Sequence, residues 1–238
     1  MVGRFDLGDI AVGVVWKDIK NIHLSVYPPD GTVRVAAPVA MNAETIRVYV
    51  ISKLAWIKKQ RRKFQEQERE TRREYLPRES HYLWGKRYLL QIVEAEKAPS
   101  VTVQHSTLVL SVRPGAEENK RQEIFAEWYR HELKLKIHEL IKQWEPRIGV
   151  TVARFFVQRM KTRWGSSNYH RQSIRLNTEL AKKPVECLEY ILVHEIVHLL
   201  EPTHNKRFVT LMEYFMPNWL YYRKELNRYP VRHEHWQY

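Results

Sequence analysis

The segment HEIVHLLEPTH, residues 194–204, brings three histidines and a glutamate together. His194 and His198 are four residues apart, so on a helix their imidazoles lie on one face, one turn apart, within reach of a single tetrahedral ion. Glu195 is displaced by about 100° around the helix axis, where its carboxylate can accept a proton from a metal-activated water instead of binding the metal. The spacing therefore predicts a metal-dependent hydrolase with Glu195 as its catalytic residue.

A third ligand is expected because a catalytic zinc is held by three protein side chains with one position open. Pro202 has no N–H and disfavours helix at Glu201, so the helix should end there and the chain should turn. The turn can return His204 to the ion, and Asn205 can cap the next helix. We therefore predict one Zn²⁺ bound by His194, His198 and His204. Other divalent metals remain open.

An alternative interpretation is a buried amphipathic helix that contains histidines by chance. Leu188, Ile191 and Ile196 are ordinary core residues in the same segment. However, three polar groups in such an apolar setting would each need a partner or cost about 1–3 kcal/mol. A single bound ion satisfies all three, which favours the metal site.

The expected reaction is hydrolysis of a peptide or another amide bond. Zinc lowers the pKa of a bound water from about 15.7 toward 7, and Glu195 is placed to move the proton to the leaving amine. We expect a peptide to add to an exposed strand edge near Ser173–Leu176, just before the histidine-bearing helix. Arg163 and Trp164 combine a cation with an aromatic ring and are candidate substrate-binding residues, with core packing of Trp164 as the alternative.

Other motifs carry a family resemblance. RMKTRWGSSN, IRLNTEL, LEYILVHEIVHLLEPTHNKRF and MPNWLYYRKELN together resemble the YgjP-like metallopeptidases, zincins related to the SprT-like proteins. The histidine spacing also matches the metzincin pattern, but Glu201 stands where that pattern has glycine. The YgjP-like resemblance covers nearly the whole chain and implies that the three histidines bind zinc and that Glu195 is the catalytic base. Ser167 stands where the family often has cysteine, so no thiol role is expected there.

Strands and helices alternate in the segments that must position the site. NIHLSVYPPDGTVRVAAP predicts a hairpin, and Asn42 can cap a helix that continues to Pro77. Strands are then expected in YLWGKRYLLQIVE and VTVQHSTLVLSV, followed by a long amphipathic helix after Gly115. Strands followed by a helix thus occur twice, without residue identity between the two blocks, which leaves internal duplication open.

The last third has a different pattern. VTVARFFVQRM and SIRLN predict strands, a helix should run from Pro184 to about Leu200, and a further helical stretch follows Asn205. The predicted fold is α+β, with amino-terminal β-hairpins and long helices, then a zincin-like helical metallopeptidase region with a small sheet. We expect two domains, an amino-terminal β/α region of residues 1–148 and a zincin-like region of residues 149–238.

Composition limits the protein class. The chain has 238 residues, 44% of them hydrophobic, which is enough for a core without disulfides. One cysteine, Cys187, no signal-like start and no membrane-spanning apolar run predict a cytoplasmic protein. The net charge of +13 predicts attraction to polyanions. The charged stretch from Lys53 to Arg73 is a candidate nucleic-acid surface, with a solvated helix face as the alternative.

Two functions follow from these patterns. The first is a zinc-dependent metallopeptidase that acts on a peptide or protein. The alternative is a basic, nucleic-acid-associated protein whose zincin region acts on DNA-bound protein or is non-catalytic. The sequence indicates no membrane partner and no particular oligomeric state.

Overall fold

The computed structural model describes residues 2–27, 31–66, 69–70, 73–160, 163–228 and 231–232. They form a mixed α+β fold of helices and small sheets, as the sequence predicts. The chain divides into two compact units, residues 1–72 with 230–238 and residues 73–229. The boundary expected between residues 148 and 149 lies inside the second unit, and the division into regions 1–148 and 149–238 stays a prediction.

The first unit is built on a four-stranded sheet. Its strands are β1 (Val2–Leu7), β2 (Ile10–Lys17), β3 (His23–Tyr27) and β4 (Thr32–Pro38). They lie in the order β1-β2-β4-β3, with a parallel central pair and an antiparallel strand at each edge. The pairing of β3 with β4 confirms the predicted hairpin, although residues 28–30 of its turn fall outside the described residues.

Two helices pack their apolar faces into the core of this sheet, namely α1 (Ala43–Ser52) and α2 (Leu54–Glu66). Asn42 caps α1 as predicted. The expectation of one continuous helix to Pro77 is wrong, because the Lys53 N–H donates to the Val50 carbonyl three residues back, at 3.1 Å. That tight turn ends α1, and α2 begins at the next residue, Leu54. The first unit also contains the short strand pair β5 (Arg69–Glu70) and β13 (Val231–Arg232).

The second unit begins with another four-stranded sheet. Its strands are β6 (Ser80–Leu83), β7 (Lys86–Glu94), β8 (Ser100–Gln104) and β9 (Thr107–Val112). Their order, β6-β7-β9-β8, and their directions repeat those of the first sheet, with a parallel pair between two antiparallel edge strands. A helix follows each sheet, so the topology agrees with the duplication that the sequence left open.

The long helix α3 (Glu118–Ile148) supplies much of the core of the second unit. Apolar side chains at helical spacing are buried along one face of it, including Phe125, Leu133 and Ile137. The helix ends at Gly149, whose φ of 75° is the left-handed conformation that glycine adopts most readily. Trp144, in its last turns, donates from Nε1 to Glu189 Oε1 at 2.9 Å.

The rest of the second unit is a three-stranded sheet packed against helices. Its strands are β10 (Arg154–Gln158), β11 (Gly165–Asn168) and β12 (Ser173–Asn177), and the helices are α4 (Val185–Val197), α5 (Lys206–Phe215) and α6 (Trp219–Arg228). The order is β10-β12-β11. The free strand edge expected near Ser173–Leu176 is therefore wrong, because β12 is paired on both sides. The edge strands of this sheet are β10 and β11, and β11 was not predicted from the sequence.

The turn between β6 and β7 is bonded to the segment that leads into α4. Trp84 and Gly85 both have positive φ angles, 50° and 77°, as in a tight hairpin turn. Their N–H groups donate to the carbonyl oxygens of Ala181, at 2.9 Å, and Lys182, at 3.3 Å. A Cβ atom on Gly85 would lie 2.9 Å from Pro184 Cγ, so this approach requires glycine.

The helices give no indication of a membrane span. None in the described part of the chain is long and apolar enough to cross a bilayer.

Candidate metal centre

Helix α4 carries the first two histidines. It begins after Pro184 and buries an almost continuous apolar surface that includes Leu188, Leu192 and Ile196. His194 and His198 fall one turn apart at its carboxyl end, where the N–H of Glu201 still reaches the Val197 carbonyl at 3.0 Å. Pro202 follows, and the chain turns toward α5. The predicted helix and its stop are both observed.

The turn brings the third histidine back to the other two. His204 Nε2 lies 3.1 Å from His194 Nε2 and 3.1 Å from His198 Nε2. One nitrogen from each ring lies within 4.8 Å of the others, and no other such group of three His, Cys, Asp or Glu side chains occurs among the residues described. The three predicted ligands are therefore together in space.

Hydrogen bonding and burial prepare these rings to bind a cation. His198 Nδ1 is 3.0 Å from the Glu201 carbonyl, which can only accept, so Nδ1 carries the proton and Nε2 presents a lone pair. Burial lowers the pKa of His198, and it lowers the pKa of His194 to about 3, with smaller contributions from the neighbouring positive charges. Both rings are therefore neutral near pH 7. Neutral imidazoles are ligands that zinc accepts, so this donor set fits the metal.

Phe208 forms the floor under all three rings. It is fully buried on α5, and its ring centroid lies 4.9 Å from that of His194, 4.5 Å from His198 and 4.8 Å from His204. Asn205 caps α5 by accepting the Phe208 N–H at 3.0 Å, as its position in the sequence predicts. Phe208 was not predicted from the sequence. Its position three residues after the cap Asn205 could have indicated this contact, because a side chain there points back toward the turn.

Glu195 lies on the neighbouring face of α4, against strand β11. Its side chain is 5% exposed and accepts a hydrogen bond from Ser167. Burial raises the pKa of Glu195 to about 7, although Ser167 and the charge of Arg163 act in the opposite direction. A Cβ atom on Gly165 would lie 2.6 Å from Glu195 Oε1, so the carboxylate occupies space that only a glycine leaves open. The sequence reading gave neither Gly165 nor Ser167 a role.

The candidate substrate-binding residues lie just before β11. Asn177 holds this segment by donating from Nδ2 to the Arg163 carbonyl and from its main-chain N–H to the Trp164 carbonyl, both at 2.9 Å. The Arg163 side chain is exposed and near enough to lower the pKa of Glu195 through its charge. Trp164 is half-buried and packs against the main core, which is the alternative expected for it.

Two aromatic rings and an arginine lie beside His194. The Tyr190 ring meets that imidazole edge-on at 6.0 Å and stacks at 6.4 Å on Trp219 of α6. The Arg223 guanidinium lies 6.0 Å over the Trp219 ring. Arg223 is exposed, and its side chain forms no ion pair with the described residues. The sequence reading did not anticipate any of these three residues.

Comparisons with solved structures reach only part of the chain. The metallopeptidase zymogen abylysin of Pyrococcus abyssi is 20% identical over 40% of this chain and 99% of its own, with a TM-score of 0.36. Jannalysin of Methanocaldococcus jannaschii, also a metallopeptidase zymogen, is 17% identical over 38% of this chain and 92% of its own, with a TM-score of 0.34. At these scores the likeness carries no argument about fold or function. No curated protein sequence matches the chain.

A family profile gives the assignment. The profile described as "YgjP-like, metallopeptidase domain" matches residues 20–229, which include Glu195 and all three histidines. The members of such a family are hydrolases that act on peptides or proteins. The chain therefore belongs to the YgjP-like metallopeptidase family.

Proposed function

We propose that this metallopeptidase uses one Zn²⁺ held by His194, His198 and His204, with Glu195 as general base. The observation that carries the proposal is the convergence of three imidazole nitrogens beside a buried carboxylate. Three imidazoles with a fourth position open are a common zinc donor set in catalytic sites. Other divalent ions also accept imidazole, so the identity of the metal is part of the test.

The residues of the chain carry the proton transfer. When bound, zinc polarises a carbonyl and lowers the pKa of water. The Glu195 carboxylate, whose pKa is raised to about 7 by burial, is basic enough to take a proton from the attacking water near neutral pH. It then gives this proton to the leaving amine as the peptide C–N bond breaks. Ser167 orients the carboxylate, and Gly165 leaves room for it.

Strand β11 is the proposed binding edge for the peptide. It pairs with β12 along one side and is one of the two edge strands of its sheet in the part of the chain described. An extended peptide that adds to this edge gains main-chain hydrogen bonds and passes beside Glu195, because Gly165 contacts that carboxylate. Cleavage of a peptide series with one N-methylated amide at each position tests this. Loss of cleavage at alternate positions is expected, whereas a uniform response would contradict strand addition.

Arg163 and Trp164 remain the proposed substrate-binding residues. Arg163 is exposed at the start of β11 and carries a charge beside Glu195, so its guanidinium can bind a carboxylate of the substrate. Trp164, which is half-buried next to it, is proposed to contribute its ring to the same contact. In a comparison of Arg163→Gln with wild type on acidic and neutral peptides, we expect KM to rise for the acidic peptides alone. An equal change for both would remove the charge from recognition.

The function is tested by metal content and hydrolysis in parallel. Wild type, Glu195→Gln and His204→Ala are purified under the same conditions, zinc per chain is measured by plasma mass spectrometry, and fluorescein-labelled casein reports hydrolysis. Wild type and Glu195→Gln should hold zinc, while Glu195→Gln should lose activity by about 10²–10⁴-fold. His204→Ala should bind zinc much more weakly, so its zinc content after purification should fall below that of wild type. Full activity in zinc-loaded Glu195→Gln would remove Glu195 from the mechanism, and a wild-type chain that binds no divalent metal would refute the proposal.

A second candidate function, association with nucleic acid, is favoured by the surface of α1 and α2. Trp56 is 43% exposed there. The same helices and the residue between them carry exposed basic side chains, namely Arg47, Lys53, Lys58, Lys59 and Arg62. Cations of this kind neutralise phosphates, and an exposed aromatic ring can stack on a base. The peptidase centre would then act on protein bound to nucleic acid.

The nucleic-acid function is tested by fluorescence anisotropy with a labelled single-stranded oligonucleotide. Affinity should fall steeply as salt rises, and Lys58→Glu with Lys59→Glu should weaken binding further at low salt. Unchanged affinity of this double variant for the oligonucleotide would show that Lys58 and Lys59 only contact solvent. Casein hydrolysis with and without the oligonucleotide shows whether binding affects the peptidase centre.

A further inference from the structure

The turn that carries His204 is held by the residue that precedes Pro202. The Glu201 carboxylate accepts hydrogen bonds at Oε1 from the Thr203 N–H, at 3.3 Å, and from Thr203 Oγ1, at 3.0 Å. The Asn205 side chain also hydrogen-bonds to this carboxylate. Glu201 therefore contacts the chain on both sides of His204.

The same residue also contacts another of the three histidines. Its main-chain carbonyl accepts the His198 Nδ1 proton, as described above. Asn205 in turn donates its N–H to the Thr203 carbonyl at 2.9 Å and caps α5 under Phe208. The hydrogen bonds thus run continuously from the end of α4 through the turn to the start of α5.

Burial restrains His204 less than it restrains His198, so hydrogen bonds in the turn matter more for His204. His198 is buried, whereas His204 is exposed. Pro202 has no N–H with which to close the turn through the main chain. Without the carboxylate, the Thr203 N–H and hydroxyl would turn to water and the segment would sample more conformations. A ligand that is ordered only on binding lowers the affinity for the metal, since the ordering entropy is then lost at that step.

We propose that Glu201 is a positioning residue whose carboxylate fixes the turn and so presents His204 to the metal. The side chain thereby replaces the sharp glycine turn that the metzincin spacing would require at this place. The inference rests on the proposed role of the three histidines as metal ligands. It assigns Glu201 no contact with metal or substrate.

Metal affinity measured by competition with a chelator tests the inference. Glu201→Ala should weaken zinc binding by about 10–100-fold, the range typical of residues that orient a ligand. Glu201→Gln should restore most of the affinity, because its amide oxygen can accept the same two bonds from Thr203. Glu213→Ala is the matched control, since it removes an exposed carboxylate from α5 without touching the turn. In the cobalt-substituted protein, the visible absorption should change for Glu201→Ala and not for the control.

A double-mutant cycle separates positioning from general stability. If Glu201 acts through His204, Glu201→Ala should cost almost no further affinity in a His204→Ala background. An equal loss in both backgrounds would overturn the inference, as would unchanged affinity in Glu201→Ala alone. If Glu201→Ala does not fold, Thr203→Val and Thr203→Ser provide the comparison, with a loss expected only for valine. Wild type that binds no metal would instead refute the proposed function, which keeps the two failures distinct.

Discussion

Substituting Gly165 by alanine tests whether the placement of Glu195 controls catalysis. The added methyl group would lie 2.6 Å from Oε1, 2.8 Å from Cγ and 3.0 Å from Cδ of Glu195. The carboxylate must retreat by about 0.8 Å to reach ordinary contact distance. Helix α4 is held in place by its buried apolar face, and a shift of it would also displace two of the proposed metal ligands. The φ angle of Gly165 is not positive, so alanine adds no backbone strain and the effect is steric.

A displacement of this size should impair proton transfer strongly. Misplacement of a catalytic group by about 1 Å can lower a rate about 10²-fold, which corresponds to about 2.7 kcal/mol in the activation free energy. Overpacking should also lower the free energy of unfolding by about 1–3 kcal/mol. Zinc affinity should be nearly unchanged, since the clash falls on the base and not on the histidines.

The assay compares kcat/KM on a quenched fluorescent peptide with zinc content and urea unfolding of the same samples. Gly13→Ala is the matched control, because Gly13 is also a strand glycine and its nearest neighbour would lie 3.8 Å from the added methyl group. The control should keep full activity. Zinc-loaded Gly165→Ala with wild-type kcat/KM would refute the link between this contact and catalysis.

Three further predictions concern stability and metal binding. Phe208→Ala should lower the free energy of urea unfolding of the metal-free protein by about 3–5 kcal/mol. It should also weaken zinc binding in chelator competition, and both effects should be smaller for Phe208→Leu. Unchanged zinc affinity in Phe208→Ala would show that the ring does not order the imidazoles. His81, stacked at 4.7 Å on Phe125, has its pKa lowered by burial to about 3. The unfolded chain therefore binds a proton that folded His81 does not, so the free energy of unfolding falls as the pH drops from about 6.5 toward 3. The loss due to His81 is about 2 kcal/mol between pH 6.5 and 5. Urea unfolding of zinc-loaded His81→Phe at both pH values should show a smaller loss of free energy than wild type, and equal losses would contradict this. Removal of zinc with a chelator should lower the free energy of unfolding by about 2.7 kcal/mol relative to protein in a zinc concentration of 100 times the Kd. Thermal melting should show a much smaller change for His204→Ala. Equal changes in wild type and His204→Ala would argue against the histidine site.

The relative placement of the histidines was predictable because it depends on short-range rules. A helix puts residues four apart on one face, and Pro202 stops a helix whatever surrounds it. Such rules do not reach across the fold. The contacts of Phe208 and Ser167 with the centre depend on how α5 and β11 pack against α4, which no spacing in the sequence encodes.

The missed secondary structure has similar causes. Strand β11 has the sequence GSSN, which lacks the branched and aromatic residues that favour strands, so its pairing with β12 holds it extended. The break at Lys53 occurs in a residue with good helix propensity, and the packing of α1 and α2 on one sheet decides it. Local preference was overruled by tertiary structure in both cases.

The bonded turn at Trp84 and Gly85 has a consequence for any minimal peptidase fragment. A chain that began at residue 149 would contain every candidate ligand, yet the carbonyls of Ala181 and Lys182 would lose their donors and Pro184 would lose its neighbour at the start of the histidine-bearing helix. Glu189 would also lose the indole of Trp144. The histidine-bearing helix of this chain is thus supported by residues far upstream of the histidines, and a fragment that keeps these contacts must include the turn at Trp84 and Gly85.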